Sequence, residues 1–424
     1  MIPVTSRTAL YVYLFHPLTE QWVTAGRLDV DSSSGTGQFI YAPSFLDSGE
    51  AISIDPINLP LLGPGKVMHA HRYQGLHDVF RDATPDAWGQ LLLQREHGLP
   101  FNAHAVQYLI RSGNSSRWGA LAFGRSRRPN VAELSTPRLE QLEALCTELL
   151  AIYEQRPASN DALRRLLVQS PSLGGARPKS SIRDRLGNYW LVKPRHSGDA
   201  HDVPQLEFAV AQWATAAGLN FAPTQLHYGE QEKMLGIGVL ASQRFDRRQQ
   251  VRRMVLSGAT LLAAHFPSAS PRDSERWSYP RLALALGQLG VPVSDLHELF
   301  GRMVFNALVG NDDDHPRNHA VVFDSSARQW RLAPAYDVVP NLEMDPPRLA
   351  MQLSHGQFEC SREAILADAM KFGLDSEDQA RSLLNNYIGA FLNTLDTAMI
   401  RISSGTVKDL LYQRVTARAR KWAL

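Results

Sequence analysis

Three consecutive carboxylates lie in the segment Gly310-Asn311-Asp312-Asp313-Asp314-His315-Pro316-Arg317-Asn318. Such a run is costly to hold together in a fold unless it is solvated or faces a cation. A solvated acidic loop is the plain reading of the triplet alone. Its surroundings point elsewhere. Asn318 follows Asp313 by five residues. The apolar segments 320–323 and 329–332 then flank Asp324-Ser325-Ser326, which reads as a hairpin with Asp337 beyond its far end. One carboxylate to take a hydroxyl proton, and two oxygen ligands for a hard cation, are what phosphoryl transfer from a nucleotide requires.

That interval between a catalytic Asp and a metal-binding Asn, followed by a hairpin and a second metal-binding Asp, is the arrangement of protein kinases. The nucleotide-binding elements should then lie upstream. Ser172-Leu173-Gly174-Gly175-Ala176-Arg177-Pro178-Lys179 offers backbone N–H groups to phosphates, although it is neither a Walker A sequence nor GxGxxG, and an ordinary Gly-rich turn is the competing reading. Lys193 ends the apolar run Tyr189-Trp190-Leu191-Val192, which reads as a strand stopping at Pro194. An edge-strand lysine is the alternative to a phosphate contact. Glu207, on a helix expected over 205–217 with Gly218 after it, either pairs with Lys193 or is a solvated carboxylate. Gln243-Arg244-Phe245-Asp246 follows an apolar run and suits a connection between lobes.

Taken in order, these segments resemble the HipA family of bacterial toxin kinases. The upstream Phe80-Arg81-Asp82-Ala83-Thr84-Pro85-Asp86-Ala87-Trp88-Gly89 is similar to the end of that family's N-terminal subdomain. The resemblance implies a two-lobed, α+β, protein-kinase-like fold. A β-rich N-terminal subdomain (1–120) precedes an ATP-binding lobe with an antiparallel sheet (121–250). An all-helical C-terminal lobe, apart from the hairpin, follows (251–424). It implies Asp313 as catalytic base, Asn318 and Asp337 as Mg²⁺ ligands, and Lys193 on the nucleotide phosphates. Leu173, Gly174, Gly175 and Ala176 would form the phosphate-facing loop. Gln243 and Phe245 would meet adenine through main-chain atoms, and His315 would orient the loop or a phosphate. Ser172 matches a serine that such kinases autophosphorylate, which would draw the loop away from its ATP-binding form. Family members act on Ser or Thr of a translation component, often an aminoacyl-tRNA synthetase. They are held by a HipB-like helix-turn-helix antitoxin that supplies most of the DNA binding.

Two other classes remain open. One is a small-molecule kinase of aminoglycoside-phosphotransferase type. The other is a catalytically inactive kinase fold serving as a co-repressor module, against which the set Lys193, Asp313, Asn318 and Asp337 speaks. His69, His71 and His77 form a weaker metal candidate, more simply loop or surface histidines. No GxSxG, HExxH or Rossmann fingerprint occurs.

Composition agrees with this class. The chain has 424 residues, 44% hydrophobic and 20% charged, which excludes a disordered or collagen-like chain. Lys and Arg number 44 against 42 Asp and Glu, a formal net charge of +2 with no global drive toward nucleic acid or an anionic membrane. Cys146 and Cys360 form no CxxC pair. No run approaches the ~20 apolar residues of a membrane helix, so a cytoplasmic protein is expected. Further elements should include strands over 8–14 and 39–41, a helix opened by Thr84-Pro85, and another opened by Thr136-Pro137. A long helix should follow Asp375-Ser376.

Overall fold

The computed structural model describes residues 6–132, 136–169, 175–232, 234–268 and 273–423. Among them, the strands form three antiparallel sheets. The first runs β4-β3-β2-β1-β5, with β1 Arg7–Phe15, β2 Trp22–Asp31, β3 Thr36–Tyr41, β4 Met68–Ala70 and β5 Leu121–Gly124. The expected strands over 8–14 and 39–41 are β1 and part of β3. Their alternation buries Val12, Leu14 and Phe39 on one face. The sheet extends past residue 120, because β5 pairs with β1 from Tyr11↔Gly124 to Leu14↔Leu121.

The second sheet runs β10-β9-β7-β6, with β8 also on β9. Its strands are β6 Ser180–Arg183, β7 Asn188–Pro194, β8 Thr224–Tyr228, β9 Gly238–Arg248 and β10 Val251–Arg252. β7 is flanked by β6 and β9, so Lys193 lies on an interior strand, not an edge. The third sheet joins β11 Val255–Ser257 to the hairpin of β12 Ala320–Asp324 and β13 Gln329–Leu332. Asp324 Oδ1 accepts the N–H groups of Ser326 and Ala327 and fixes that turn. The C-terminal part is thus helical around a small sheet that gains one strand, β11, beyond the expected hairpin.

Helix Val203–Ala216 starts where Asp202 accepts the N–H of Gln205 at 3.0 Å and ends before Gly218 at φ +95°. Helix Glu377–Thr394 is capped by Ser376, as its sequence predicts. Two expected starts move. Helix Ala87–His97 begins after Asp86, not at Thr84, whose hydroxyl donates to Arg81 O and accepts from the Arg81 guanidinium. After Thr136-Pro137 the chain makes only a turn of 3₁₀ helix, Leu139–Gln141, because Pro137 O is taken by the N–H of Arg183; the α-helix is Leu142–Tyr153.

The apolar interior falls into unequal parts. The first sheet shares one continuous core with helix Val203–Ala216 and the C-terminal helices, from Val12 and Phe39 through Trp213 and Phe305 to Phe391 and Trp422. The second sheet has a smaller core. Ile182, Val192 and Val239 pack there with Leu145, Cys146 and Leu149, and with Trp88 and Leu92 of helix Ala87–His97. No helix among the described residues is long and apolar enough to cross a membrane.

Candidate nucleotide site

A cleft separates the second sheet from the turn and hairpin of the C-terminal lobe. Lys193 lies inside it, 8% exposed. Its ammonium donates to Glu207 Oε1 and Oε2 at 2.8 and 3.1 Å, and to Asp337 Oδ1 at 2.5 Å. Glu207 is therefore a buried partner rather than a solvated carboxylate. Burial alone would lower the pKa of Lys193, but the two carboxylates outweigh it and raise it. Burial likewise opposes ionisation of Asp337, yet Lys193 and Lys179 hold its carboxyl well below the usual range. Asp337 also adopts φ +62°, a left-handed conformation that costs a non-glycine residue about 1 kcal/mol or more. Such strain collects where a side chain must be aimed.

The acidic triplet divides into three roles. Asp314 is buried, accepting the Tyr279 hydroxyl on one oxygen and facing His319 Nε2 at 3.0 Å on the other. Asp312 accepts Asn341 Nδ2 at 2.8 Å. Asp313 is the exposed one; it is not among the residues that line the cleft, whereas His315 and Asn318 of the same turn are. Although Asp313 is exposed, partial desolvation of its carboxyl raises its pKa; His315 opposes this, and Asp337 and Asp312 reinforce it. The chain then makes a 3₁₀ turn, Pro316–Asn318. There Asn318 Nδ2 donates to Asp313 O at 3.2 Å, leaving Oδ1 as its ligand-capable atom. The His315 ring lies 4.3 Å from that of Phe266, and its Nδ1 has no hydrogen-bond partner. Burial pushes the imidazole down against the pull of Asp313, toward the neutral form.

The other end of the cleft is aromatic. Phe245 packs 5.6 Å from Tyr336 and 6.4 Å from Trp118, ring centre to ring centre. The register of β9 on β7 runs through Trp190↔Gln243 and then breaks until Asn188↔Arg248. The N–H of Gln243 donates to Pro223 O at 2.8 Å, so only its carbonyl is left to meet a ligand. Gly175, at φ +59°, also lines the cleft, and a Cβ there would lie 2.8 Å from Lys179 Nζ. Ala176 follows it. Ser172, Leu173 and Gly174 lie outside the described residues.

The HipA-like C-terminal domain model matches residues 171–395, more than half of the chain. The chain belongs to the HipA-like family. Its fold is that of HipA from Shewanella oneidensis MR-1, solved with HipB and operator DNA. The two align at TM-score 0.68 over 97% of each chain, with 16% identity. The kinase CtkA of Helicobacter pylori aligns over 57% of this chain and 90% of its own, at TM-score 0.43 and 14% identity. Y4dM of Sinorhizobium fredii, named a putative kinase, is 28% identical over 166 residues. That match spans 37% of this chain and 38% of Y4dM, well under half of that relative's length.

Some cleft residues of this HipA-like chain are not foreseen from sequence. Trp118 and Asp86 reach the cleft from the N-terminal part, and Arg317 and Lys179 also line it. Lys179 closes the Gly-Gly-Ala-Arg-Pro-Lys run, which by itself gives this lysine no role. Trp118 carries no spacing signal. The His69 and His71 rings stack 6.5 Å apart at β4, the edge strand of the first sheet, and His77 is buried against Phe39 and Phe80. No cluster of three or more His, Cys, Asp or Glu suited to a metal occurs among the described residues.

Proposed function

We propose that this chain is an ATP- and magnesium-dependent serine/threonine protein kinase of the HipA toxin type. The observation that carries the reading is the contact of Lys193 with both Glu207 and Asp337, beside the turn that holds Asp313 and Asn318. A strand lysine paired with a helix carboxylate, close to the post-hairpin aspartate, is the arrangement that kinases use to grip the phosphates.

The donor set fits magnesium. Asn318 Oδ1 and an ionised Asp337 are hard oxygen ligands, and two protein ligands suit an ion that retains waters and substrate phosphates. When bound, magnesium supplies positive charge across the phosphate oxygens as the γ-phosphoryl group leaves. Lys193 holds the phosphates. Gly175 and Ala176, with Leu173 and Gly174 before them, cover these phosphates through backbone N–H groups. The Gln243 carbonyl and the Phe245 main chain take adenine against the Tyr336 and Trp118 rings, and His315 stands over the phosphates. Asp313 accepts the proton of a Ser or Thr hydroxyl as its oxygen bonds to the γ-phosphorus. The bond to the β-phosphate oxygen breaks, and ADP leaves.

The protein substrate is a translation component such as an aminoacyl-tRNA synthetase, and Ser172 is the autophosphorylation site. A HipB-like antitoxin is the partner and supplies most contact with DNA. Support for that partner comes from the resemblance and from the Shewanella HipA, solved with HipB and operator DNA. The test is intact mass after incubation with Mg-ATP, for wild type and Asp313→Asn. The expected result is one phosphate on the wild type alone, mapped to Ser172. Label on a sugar but on no polypeptide in lysate would overturn the protein-kinase reading.

A further inference from the structure

Arg317 sits in the 3₁₀ turn immediately before Asn318, and its guanidinium, 6.0 Å from the Phe266 ring centre of its own lobe, reaches on to the N-terminal part. Its Nη1 donates to Asp82 Oδ1 at 2.8 Å, and its Nη2 lies 3.0 Å from Asp86 Oδ2. Both aspartates flank the Ala83-Thr84-Pro85 turn of the N-terminal part. All three side chains are at least nine-tenths buried.

Each aspartate is itself anchored. Asp82 also accepts the N–H and hydroxyl of Ser257 at 2.8 and 2.7 Å, and the Thr260 hydroxyl at 2.7 Å. Asp86 accepts Arg81 Nη2 at 3.1 Å, while Arg81 Nη1 is held by Thr84. The backbone of Arg317 is fixed at the same time, because the Tyr336 hydroxyl donates to its carbonyl at 2.8 Å. Tyr336 precedes Asp337, and Asn318 follows Arg317. One residue therefore has the N-terminal part on its guanidinium, Asn318 next to it in the chain, and Asp337 linked to it through the Tyr336 hydroxyl.

We propose that Asp82 and Asp86 are positioning residues for the nucleotide–metal site, acting through Arg317 on Asn318 and Asp337. The N-terminal part is then a piece of the active site rather than an appendage. Removing a buried partner leaves an uncompensated charge beside the turn, and the turn shifts to solvate it. Outer-shell partners that orient metal ligands alter metal affinity about 10–100-fold when lost. The proposal rests on the kinase reading, so its test uses binding, which does not require turnover.

The experiment titrates ADP into the full chain by calorimetry, with magnesium and with EDTA, for wild type, Asp86→Asn, Arg317→Met and Arg317→Lys. Asp86→Asn is isosteric and keeps an acceptor for Arg81, so it tests the idea even where Arg317→Met unfolds. The expected result is a loss of about tenfold or more in Mg-ADP affinity for Asp86→Asn and Arg317→Met. Mg-free ADP affinity should stay within about threefold, and Arg317→Lys should recover part of the loss. Wild-type Mg-ADP binding matched by Asp86→Asn would overturn the positioning role and leave the kinase reading standing. Equal losses with and without magnesium would reduce the ion pairs to scaffolding. A wild type that binds no ADP would overturn both.

Discussion

Two lysines buried in the cleft end on opposite sides of the ordinary lysine pKa. Lys193 has carboxylates on its ammonium and keeps its proton, whereas burial pushes Lys179 down to about 8, with Lys193 adding to the fall and Asp337 and Glu207 resisting it. The folded chain therefore gives up the Lys179 proton between about 8 and the ordinary lysine value near 10.5, while the unfolded chain still holds it. Over that window the contribution of this group to stability rises with pH, and the positive charge offered to phosphates falls. ATP affinity measured at pH 7 and at pH 9 should drop at the higher value, and Lys179→Arg should flatten the profile; an unchanged slope in that variant would remove Lys179 from the phosphate site. The acidic triplet makes a second prediction, because its members do different work. Asp313→Asn should lower kcat by at least ~10² with ATP affinity near wild type. Asp314→Asn should instead cost about 1–3 kcal/mol of stability, read as a lower Tm, since it weakens the buried bonds to Tyr279 and His319.

The elements that carry these residues are closed by a few backbone devices. Helix Val293–Val309 stops at Gly310, at φ +76°, and the acidic turn starts there. A Cβ at that position would lie 2.9 Å from Arg418 Nη1 and 3.2 Å from the Pro346 ring. Gly310→Ala should thus destabilise by about 1 kcal/mol or more and misplace the turn, so that Tm and kcat fall together. Full activity at a lowered Tm would show the turn to be set elsewhere. Much of this level is legible in the sequence. The hairpin, the Lys193 strand and the capped helix after Ser376 each follow from period and turn chemistry. β2 is hidden, because Trp22-Val23-Thr24-Ala25-Gly26 opens it without alternation and glycine is poor in strands. The structure requires that glycine, since a Cβ at Gly26 would lie 2.4 Å from Ile40 O and 2.5 Å from the Phe39 ring. The pairing of Glu207 with Lys193 and the reach of Asp86 and Trp118 into the cleft are long-range, and no local pattern encodes them.

At the scale of the molecule there are two main cores of different size, and a small third cluster of Val255, Ala320, Val322 and Ala333 packs under the aromatic end of the cleft. The second sheet is the smaller unit, so its amides should exchange with deuterium as a separate block that opens at lower free energy than the shared core. Mg-ADP should slow exchange in β7 and β9 most. Uniform protection of the whole chain by hydrogen-exchange mass spectrometry would refute two separable units. The Lys193–Glu207 pair crosses this divide, because Lys193 rides on β7 while the Glu207 helix belongs to the larger core. Trp213 of that helix is fully buried and donates its indole N–H to Phe391 O at 2.8 Å. The Glu207 helix is therefore ballast and not a lever. An agent that silenced the protein by tilting it would first have to unseat Trp213 from the helical lobe, and would also have to break the bonds from Gln205 and Gln212 of that helix to Tyr228 and Thr224 of β8.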